Sequence, residues 1–578
     1  MQYALDRIHK QKKIKKDARV YVVTAVFFLI AGVLLYRLFN LQVLQHGAFA
    51  ARSDELHNIE KELKPVRGQV MVSENGETYP IITNKDYYFV YADPRKIEDK
   101  QHFIDTITPI LGLKEEEWKD LLAKVSKEND PYEPIRRKVE LEDVQKIKDA
   151  ELSGVYNVPE SYRMYPEGIF GGHILGFVDY NGEGKYGIEG YYNQELTGVG
   201  GVLKSAKDAT GRSITIGERE VKRPVNGSKI ILTIDRKIQV KICDEIKKGV
   251  EGFGAKTGTI IVMEPYSGAV VGMCSYPDFD PEKYNEVENI NIYNNPAIFS
   301  AYEPGSIFKA ITLAIGIDEK KITPYTTYED TGEIKLIGLK PIRNSDLQAH
   351  GIQTMTQVLE KSLNTGAVFV ANKIGNKDFR KYVQNFGFGE NTGISLDTEV
   401  PGDISSLDKR GDIYTITASF GQGITVTPLQ FISAFSALVN GGKLMKPHIV
   451  EEIIHEDGST DTFAPTTIRQ VISQSSSSAI SGMLVSVVEN GWGGKAGVEG
   501  YYVGGKTGTA QVAGKDGEYG EETIHSFVGF GPARNPKFVI LVKLDEPQSH
   551  VFSSDTATTI FRKVASYLFQ MYDIEPER

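Results

Sequence analysis

Serine three places ahead of lysine, a second serine two places ahead of asparagine, and a lysine leading a Thr-Gly-Thr run could together perform serine acyl transfer without a histidine. They occur as Ser306-Ile-Phe-Lys309, Ser362-Leu-Asn364 and Lys506-Thr507-Gly508-Thr509. Each pattern also occurs a second time, at Ser406–Lys409, Ser73–Asn75 and Lys256–Thr259, so the surroundings must decide. Ser306 follows Glu303-Pro304-Gly305 and opens an apolar run with Ile307, Phe308, Ile311, Leu313 and Ile315. The Pro-Gly break places it in or near the first turn of a helix, where unpaired N–H groups and the helix dipole favour developing negative charge. Lys309 lies three residues on, on the same helical face. An apolar setting and a nearby second cation lower a lysine's pKa and let it act as base for the hydroxyl.

The duplicates read differently. Ser406–Lys409 lies in the charged stretch Ser405–Asp412, a solvated loop, and Lys256–Thr259 runs into the apolar Ile260–Met263, a structural strand. Ser73–Asn75 precedes Gly76 in a turn. Ser362–Asn364 sits at a helix end or short loop and offers a hydroxyl for proton relay and an amide to grip a peptide. Lys506–Thr509 follows Gly504-Gly505 and offers a cation and two hydroxyls for a carboxylate, on a strand whose edge can pair with an extended peptide.

Bringing these distant motifs together takes a long chain. With 578 residues, three or four folding units are expected, and 25% charged with 40% hydrophobic residues excludes disorder and a polytopic membrane protein. The net charge of −10 leaves no general nucleic-acid footprint. Cys243 and Cys274 can form one disulfide but no framework or zinc site. Residues 1–19 are basic, and Val20–Tyr36 carries no charge. This predicts a single transmembrane helix over 20–41, with the basic tail cytoplasmic and the remainder outside. Ala48-Phe49-Ala50 lies too far beyond the apolar run for a signal-peptide cleavage site.

Residues 42–225 mix short strands with amphipathic helices at Glu115–Lys127 and Val139–Lys148, and glycine is dense from 168 to 217, which favours turns and extended segments. The character changes near Asn226-Gly227. Strands are expected over Ile230–Ile234, Gly258–Pro265, Ala269–Ser275, Tyr501–Val512, His525–Gly531 and Phe538–Leu544. Helices are expected over Gln239–Val250, 306–319, 354–375 and about 555–571. Strands at both ends with helices between suggest one antiparallel sheet packed on a helical lobe, an α+β arrangement.

Only Ser306, Ser362 and Lys506 satisfy the order Ser-x-x-Lys, Ser-x-Asn, Lys-Thr-Gly, and that order resembles the penicillin-binding protein transpeptidases. Leu232–Arg236, Met263–Pro265, Ser275–Asp280, Phe420–Gly423, Thr427–Gln430 and Ser526–Gly529 resemble further segments of that domain. Pro65–Gly68, Arg163–Pro166 and Gly187–Glu189 resemble the non-catalytic pedestal of the class B group, and Tyr302–Ser306 with His173–Phe177 looks like its division or sporulation type. The resemblance implies a membrane-anchored, elongated mixed α/β pedestal (42–225) and a transpeptidase domain (226–575) with a five-stranded antiparallel sheet, helices on both faces and an all-helical lobe. It implies that Ser306 attacks a D-Ala-D-Ala stem peptide with Lys309 as base. Ser362 shuttles the proton, Asn364 holds the acyl chain, and Lys506, Thr507, Gly508 and Thr509 bind the carboxylate. The backbone of Ser306 and Thr509 forms the oxyanion hole. Implied partners are peptidoglycan stem peptides, β-lactams, the lipid bilayer and a membrane glycan polymerase with other division or elongation proteins; no cofactor or metal is implied. A D,D-carboxypeptidase of the same fold and a non-catalytic scaffold remain open as alternatives.

Overall fold

The run Ile260–Met263 shows no polar alternation because its strand is buried on both faces. Ile260 and Val262 enter one hydrophobic core, while Ile261 and Met263 enter another. The computed structural model describes residues 2–45, 58–74, 76–127, 129–168, 170–206, 220–335, 341–513, 519–548 and 552–578. The strand is β1 (Thr257–Met263), joined to β2 (Val270–Tyr276), β3 (Gly504–Ala513), β4 (Tyr519–Gly531) and β5 (Phe538–Asp545) in one five-stranded sheet of order β2-β1-β5-β4-β3. All four pairings are antiparallel. β3, with the Lys506 motif, is an edge strand.

Helix α1 (Arg236–Phe253) packs on one face. It starts where Asp235 accepts the N–H groups of Lys237 and Ile238 at 2.8 and 3.0 Å. The helical lobe on the other face contains α2 (Lys309–Asp318), α3 (Met355–Glu360), α4 (Asn364–Ile374) and the fully buried α5 (Pro428–Val439). The chain closes with α6 (Ala557–Met571), which packs beside α1. A disulfide joins Cys243 on α1 to Cys274 on β2.

The chain divides into two compact units. One comprises residues 1–65 and 199–225. It holds the helix Gln2–Phe39 and an antiparallel sheet in which Gly201–Ala206 lies between Asn58–Leu63 and Glu220–Lys222. Arg19–Leu44, with mean hydropathy 2.3, is the only stretch among the described residues long and apolar enough to cross a membrane. Ala48–Ala50 lies outside the described residues, as do 207–217 of the glycine-dense stretch.

The other unit comprises residues 66–198 and 226–578. Besides the five-stranded sheet it holds a seven-stranded one, where Lys229–Asp235 pairs in parallel with Val70–Glu74 and antiparallel with Val450–Ile454. The two amphipathic segments expected before residue 150 are helical at Glu115–Val125 and Leu141–Asp149. Val139 belongs instead to the strand Glu133–Val139, because its side chain is buried with Val144 and Ile147 while Glu140 turns the chain into the helix.

Three of the early sequence patterns converge here. Glu189, fully buried, accepts from Arg67 Nε at 2.8 Å and from Arg163 Nε at 2.6 Å. Asn84 ties the two arginines together, donating to the Arg67 carbonyl at 2.6 Å and accepting from Arg163 at 2.9 Å. Removing one member of a buried charge cluster leaves the others desolvated and unpaired. Glu189→Ala is therefore expected to lower unfolding free energy by about 3–5 kcal/mol in urea denaturation. A loss below about 1 kcal/mol would mean that water replaces the carboxylate at no cost.

Candidate active site

The turn that carries Ser306 begins with a left-handed glycine. Gly305 has φ 58° and starts a 3-10 turn, Gly305–Phe308, which leads into α2. The helix expected over 306–319 thus opens with a tighter turn. In 3-10 geometry side chains at i and i+3 eclipse, so Ser306 and Lys309 superpose. Ile307, Phe308 and Ala310–Ile315 are buried around them, which anchors the turn in the core. Gly305 N–H donates to Gly421 O at 3.0 Å, and a Cβ on Gly421 would lie 2.2 Å from Gly305 O. Phe420–Gly423 therefore needs its glycine to support the turn. Gly508 admits β3 from the other side, since a Cβ there would meet Ser526 Oγ at 2.5 Å and Ile307 at 2.9 Å.

Residues 354–375 are not one helix. α3 and α4 are separated by Lys361-Ser362-Leu363, with Ser362 at φ 56°, so the reading of a helix end or short loop describes the motif and the continuous helix does not. The break turns the Ser362 side chain between two lysines. A buried network holds the start of α4 in place: Thr365 Oγ1 donates to Asp330 Oδ1 at 2.7 Å, and Asn344 Nδ2 reaches both Asp330 oxygens at 3.0 and 2.9 Å. Burial opposes the charge on Asp330, but donors from Thr365, Gly332, Asn344 and His350 outweigh it and hold the pKa below its usual value.

The four motif side chains form one contiguous polar line. Lys309 Nζ lies 3.0 Å from Ser306 Oγ and 3.2 Å from Ser362 Oγ, and it donates to the Ser362 carbonyl at 2.6 Å. Lys506 Nζ lies 3.0 Å from Ser362 Oγ, 3.2 Å from Thr507 O and 3.3 Å from Thr507 Oγ1. Both lysines are completely buried. Burial, followed by repulsion from Lys506, drives the Lys309 pKa well below its ordinary value. Burial lowers that of Lys506 to about 7. Lys309 is thus the lysine that more readily gives up its proton, which puts a lone pair beside the Ser306 hydroxyl, and Lys506 is the one that more readily keeps its charge.

The remaining residues line the rim. Asn364 is half-buried and donates one amide hydrogen to Arg343 O at 2.7 Å, leaving its second for a ligand. Thr509 Oγ1 donates to Ser553 Oγ at 3.2 Å and accepts the Ser553 N–H at 3.1 Å. Sequence reasoning missed Ser553, Asp330 and Asn344, because nothing in their neighbourhoods distinguishes them from surface polar residues. The duplicate patterns lie elsewhere. Ser406 Oγ donates to Gly423 O, Lys409 is exposed over Tyr414, and Lys256 is exposed and paired with Glu546. Ser73 lies in the strand Val70–Glu74, and Asn75 is outside the described residues. The polar segment Asp278–Asn295 forms 3-10 turns at Pro281–Glu286 and Ile290–Tyr293. These border a cavity of about 750 Å³ beside Thr257 and Tyr276, which no residue of the lysine–serine line reaches. Between β3 and β4, residues 514–518 lie outside the described residues, and 519–523 belongs to β4.

Residues 258–566 match the penicillin binding protein transpeptidase domain, and residues 62–232 match the penicillin-binding protein dimerisation domain. The chain is 34% identical over 565 residues to stage V sporulation protein D of Bacillus subtilis, covering 96% of this chain and 86% of that protein. It is 28% identical over 598 residues to the peptidoglycan D,D-transpeptidase FtsI homolog of Mesostigma viride, covering 98% of each. Among solved structures, penicillin binding protein 3 of Mycobacterium tuberculosis, complexed with aztreonam, superposes with a TM-score of 0.68 at 23% identity, covering 90% of this chain and 98% of that one.

Proposed function

Because the chain belongs to the class B penicillin-binding proteins, with division- and sporulation-type relatives, we propose that Ser306 is its acylating nucleophile. The protein is a serine D,D-transpeptidase that crosslinks peptidoglycan stem peptides and is acylated by β-lactams. The observation that carries the residue assignment is the unbroken line Ser306–Lys309–Ser362–Lys506, with each step near 3 Å. Neutral Lys309 takes the Ser306 proton as Oγ attacks the carbonyl between the two D-alanines. The N–H groups of Ser306 and Thr509 stabilise the oxyanion; one such donor contributes about 3–4 kcal/mol to the barrier. Ser362 relays the proton from Lys309 to the leaving amine. Protonated Lys506, with Thr507 and Thr509, binds the terminal carboxylate, and Gly508 lets β3 lie close to the turn that carries Ser306. Asn364 holds the acyl chain through its free N–H.

An extended donor peptide adds to the edge of β3, where alternate N–H and C=O groups point away from β4. The proposed division is a cytoplasmic tail over 1–19, a transmembrane helix over 20–41, a pedestal over 42–225 and the transpeptidase domain over 226–575. The catalytic part faces outward. A disulfide at Cys243–Cys274 fits an oxidising compartment, and the basic tail fits the cytoplasmic side. A membrane glycan polymerase and other wall-synthesis proteins are its proposed partners.

The test follows a D-Ala-D-Ala donor with and without an amine acceptor. D-alanine release with formation of the crosslinked peptide is expected. Release with water as the only acceptor would make the enzyme a carboxypeptidase.

A further inference from the structure

The residue three places ahead of the nucleophile carries a charge that the mechanism does not use. Glu303 Oε1 accepts the Gly423 N–H at 2.9 Å, and Oε2 accepts the Tyr519 hydroxyl at 3.0 Å. Both partners border the nucleophile turn. Gly423 closes the Phe420–Gly423 turn that packs on Gly305, and Tyr519 begins β4, paired with Ala513 at the end of β3. Gly305 itself packs against Ala510, one residue beyond Thr509, since a Cβ there would lie 2.9 Å from that of Ala510. The Glu303 carboxylate is therefore held between the supporting turn and the β3–β4 hairpin, at the end of the cleft beyond Thr509.

This carboxylate is half-buried, and among the described residues its electrostatic neighbours are the Gly423 N–H and the Tyr519 hydroxyl, with no lysine, arginine or histidine in ion-pair contact. Two neutral donors fix its direction without cancelling its charge. A carboxylate taken partly out of water with no cation attracts one strongly, because an incoming cation supplies what desolvation removed. Burial raises its pKa, which is the direction expected of a group that lacks a cationic partner.

We propose that Glu303, oriented by Tyr519, binds the ammonium group of the acceptor and sets the preference of the acyl-enzyme for an amine over water. The inference rests on the assignment of Ser306 as nucleophile. The ammonium arrives as R–NH3+ and loses one proton to water before attack. The nitrogen then forms an amide bond to the acyl carbon, the ester bond to Ser306 Oγ breaks, and a second proton passes from the nitrogen through Lys309 to Oγ. Acyl-ester and R–NH3+ thus give amide, free serine hydroxyl and one released proton. Glu303 touches the acceptor before this step and takes no part in acylation.

The test is the partition of one acyl-enzyme between nucleophiles. An N-acyl-D-alanyl thioester donor is given to wild-type protein and to Glu303→Gln, Glu303→Asp and Tyr519→Phe, near neutral pH. The acceptors are glycinamide, mostly a cation there, and hydroxylamine, a neutral nucleophile. The ratio of aminolysis to hydrolysis does not depend on how much acyl-enzyme forms. With glycinamide the ratio should fall about tenfold in Glu303→Gln, recover in part in Glu303→Asp and fall less in Tyr519→Phe. With hydroxylamine it should stay constant. An unchanged ratio with glycinamide, or equal falls with both nucleophiles, would overturn the proposal. No acyl-enzyme in the wild type would overturn the Ser306 assignment instead, so the two failures are distinguishable.

Discussion

Ser306→Ala is expected to fold normally and to show no mass increase after incubation with benzylpenicillin, whereas the wild type gains a persistent stoichiometric adduct. The hydroxyl is half-exposed at a turn whose fixed parts are the buried Ile307 and Phe308, so its removal leaves no cavity in the core. Its chemistry has no substitute, because the neighbouring hydroxyl of Ser362 lies between two lysines with its backbone in a left-handed conformation. The loss of acylation should exceed about 10⁴-fold. Ser406→Ala and Lys256→Ala serve as controls and should label at near wild-type rates. Ser406 Oγ donates to the Gly423 carbonyl, and the exposed Lys256 pairs with Glu546. Labelling that survives in Ser306→Ala, or disappears in a folded control, would move the nucleophile to another serine.

The second large effect is the loss of the buried base and the pH profile it creates. Lys309→Met roughly keeps the volume of the side chain but removes the amine beside Ser306 Oγ. Acylation should fall by about 10²–10⁴-fold, the range of general-base contributions. In the wild type, acylation efficiency should rise with pH as Lys309 loses its proton. Its pKa is depressed by burial and by the charge of Lys506, so this limb falls on the acid side. Efficiency should decline as Lys506 in turn loses the proton that binds the substrate carboxylate, with a midpoint at about 7 in the free enzyme. Once a carboxylate is bound it stabilises the ammonium, so the alkaline limb of the saturated rate should move to higher pH. Measuring acylation by a chromogenic β-lactam across pH, at low and saturating concentrations, checks both limbs. An alkaline limb that stays fixed on saturation would mean that Lys506 does not hold the carboxylate.

Much of this site was legible in the linear order of residues. The apolar run behind Ser306, the Pro-Gly break before it and the glycines before Lys506 are local signals, and local sterics enforce them wherever the chain folds. They favoured Ser306 over Ser406 and Lys506 over Lys256, and the fold brings Ser306, Lys309, Ser362 and Lys506 together. The doubly buried strands were legible for the same reason, since a run such as Ile260–Met263 has no face that water could share.

Residue types read along the chain therefore carry the order of the three motifs, one long apolar segment near the N-terminus and the alternation of strand and helix. The remaining features arise only once distant segments pack together. Ser362 bridges Lys309 and Lys506 only because the chain breaks between α3 and α4, a break held by Asp330, Asn344 and Thr365 from distant segments. The protonation order of the two lysines depends on complete burial and on the repulsion of Lys309 by Lys506, neither of which exists until the chain folds. The same holds for Arg67, Arg163 and Glu189, three separate patterns in the chain that become one buried charge cluster. Residue type and spacing act over a few bonds, whereas desolvation and Coulomb interaction act through space.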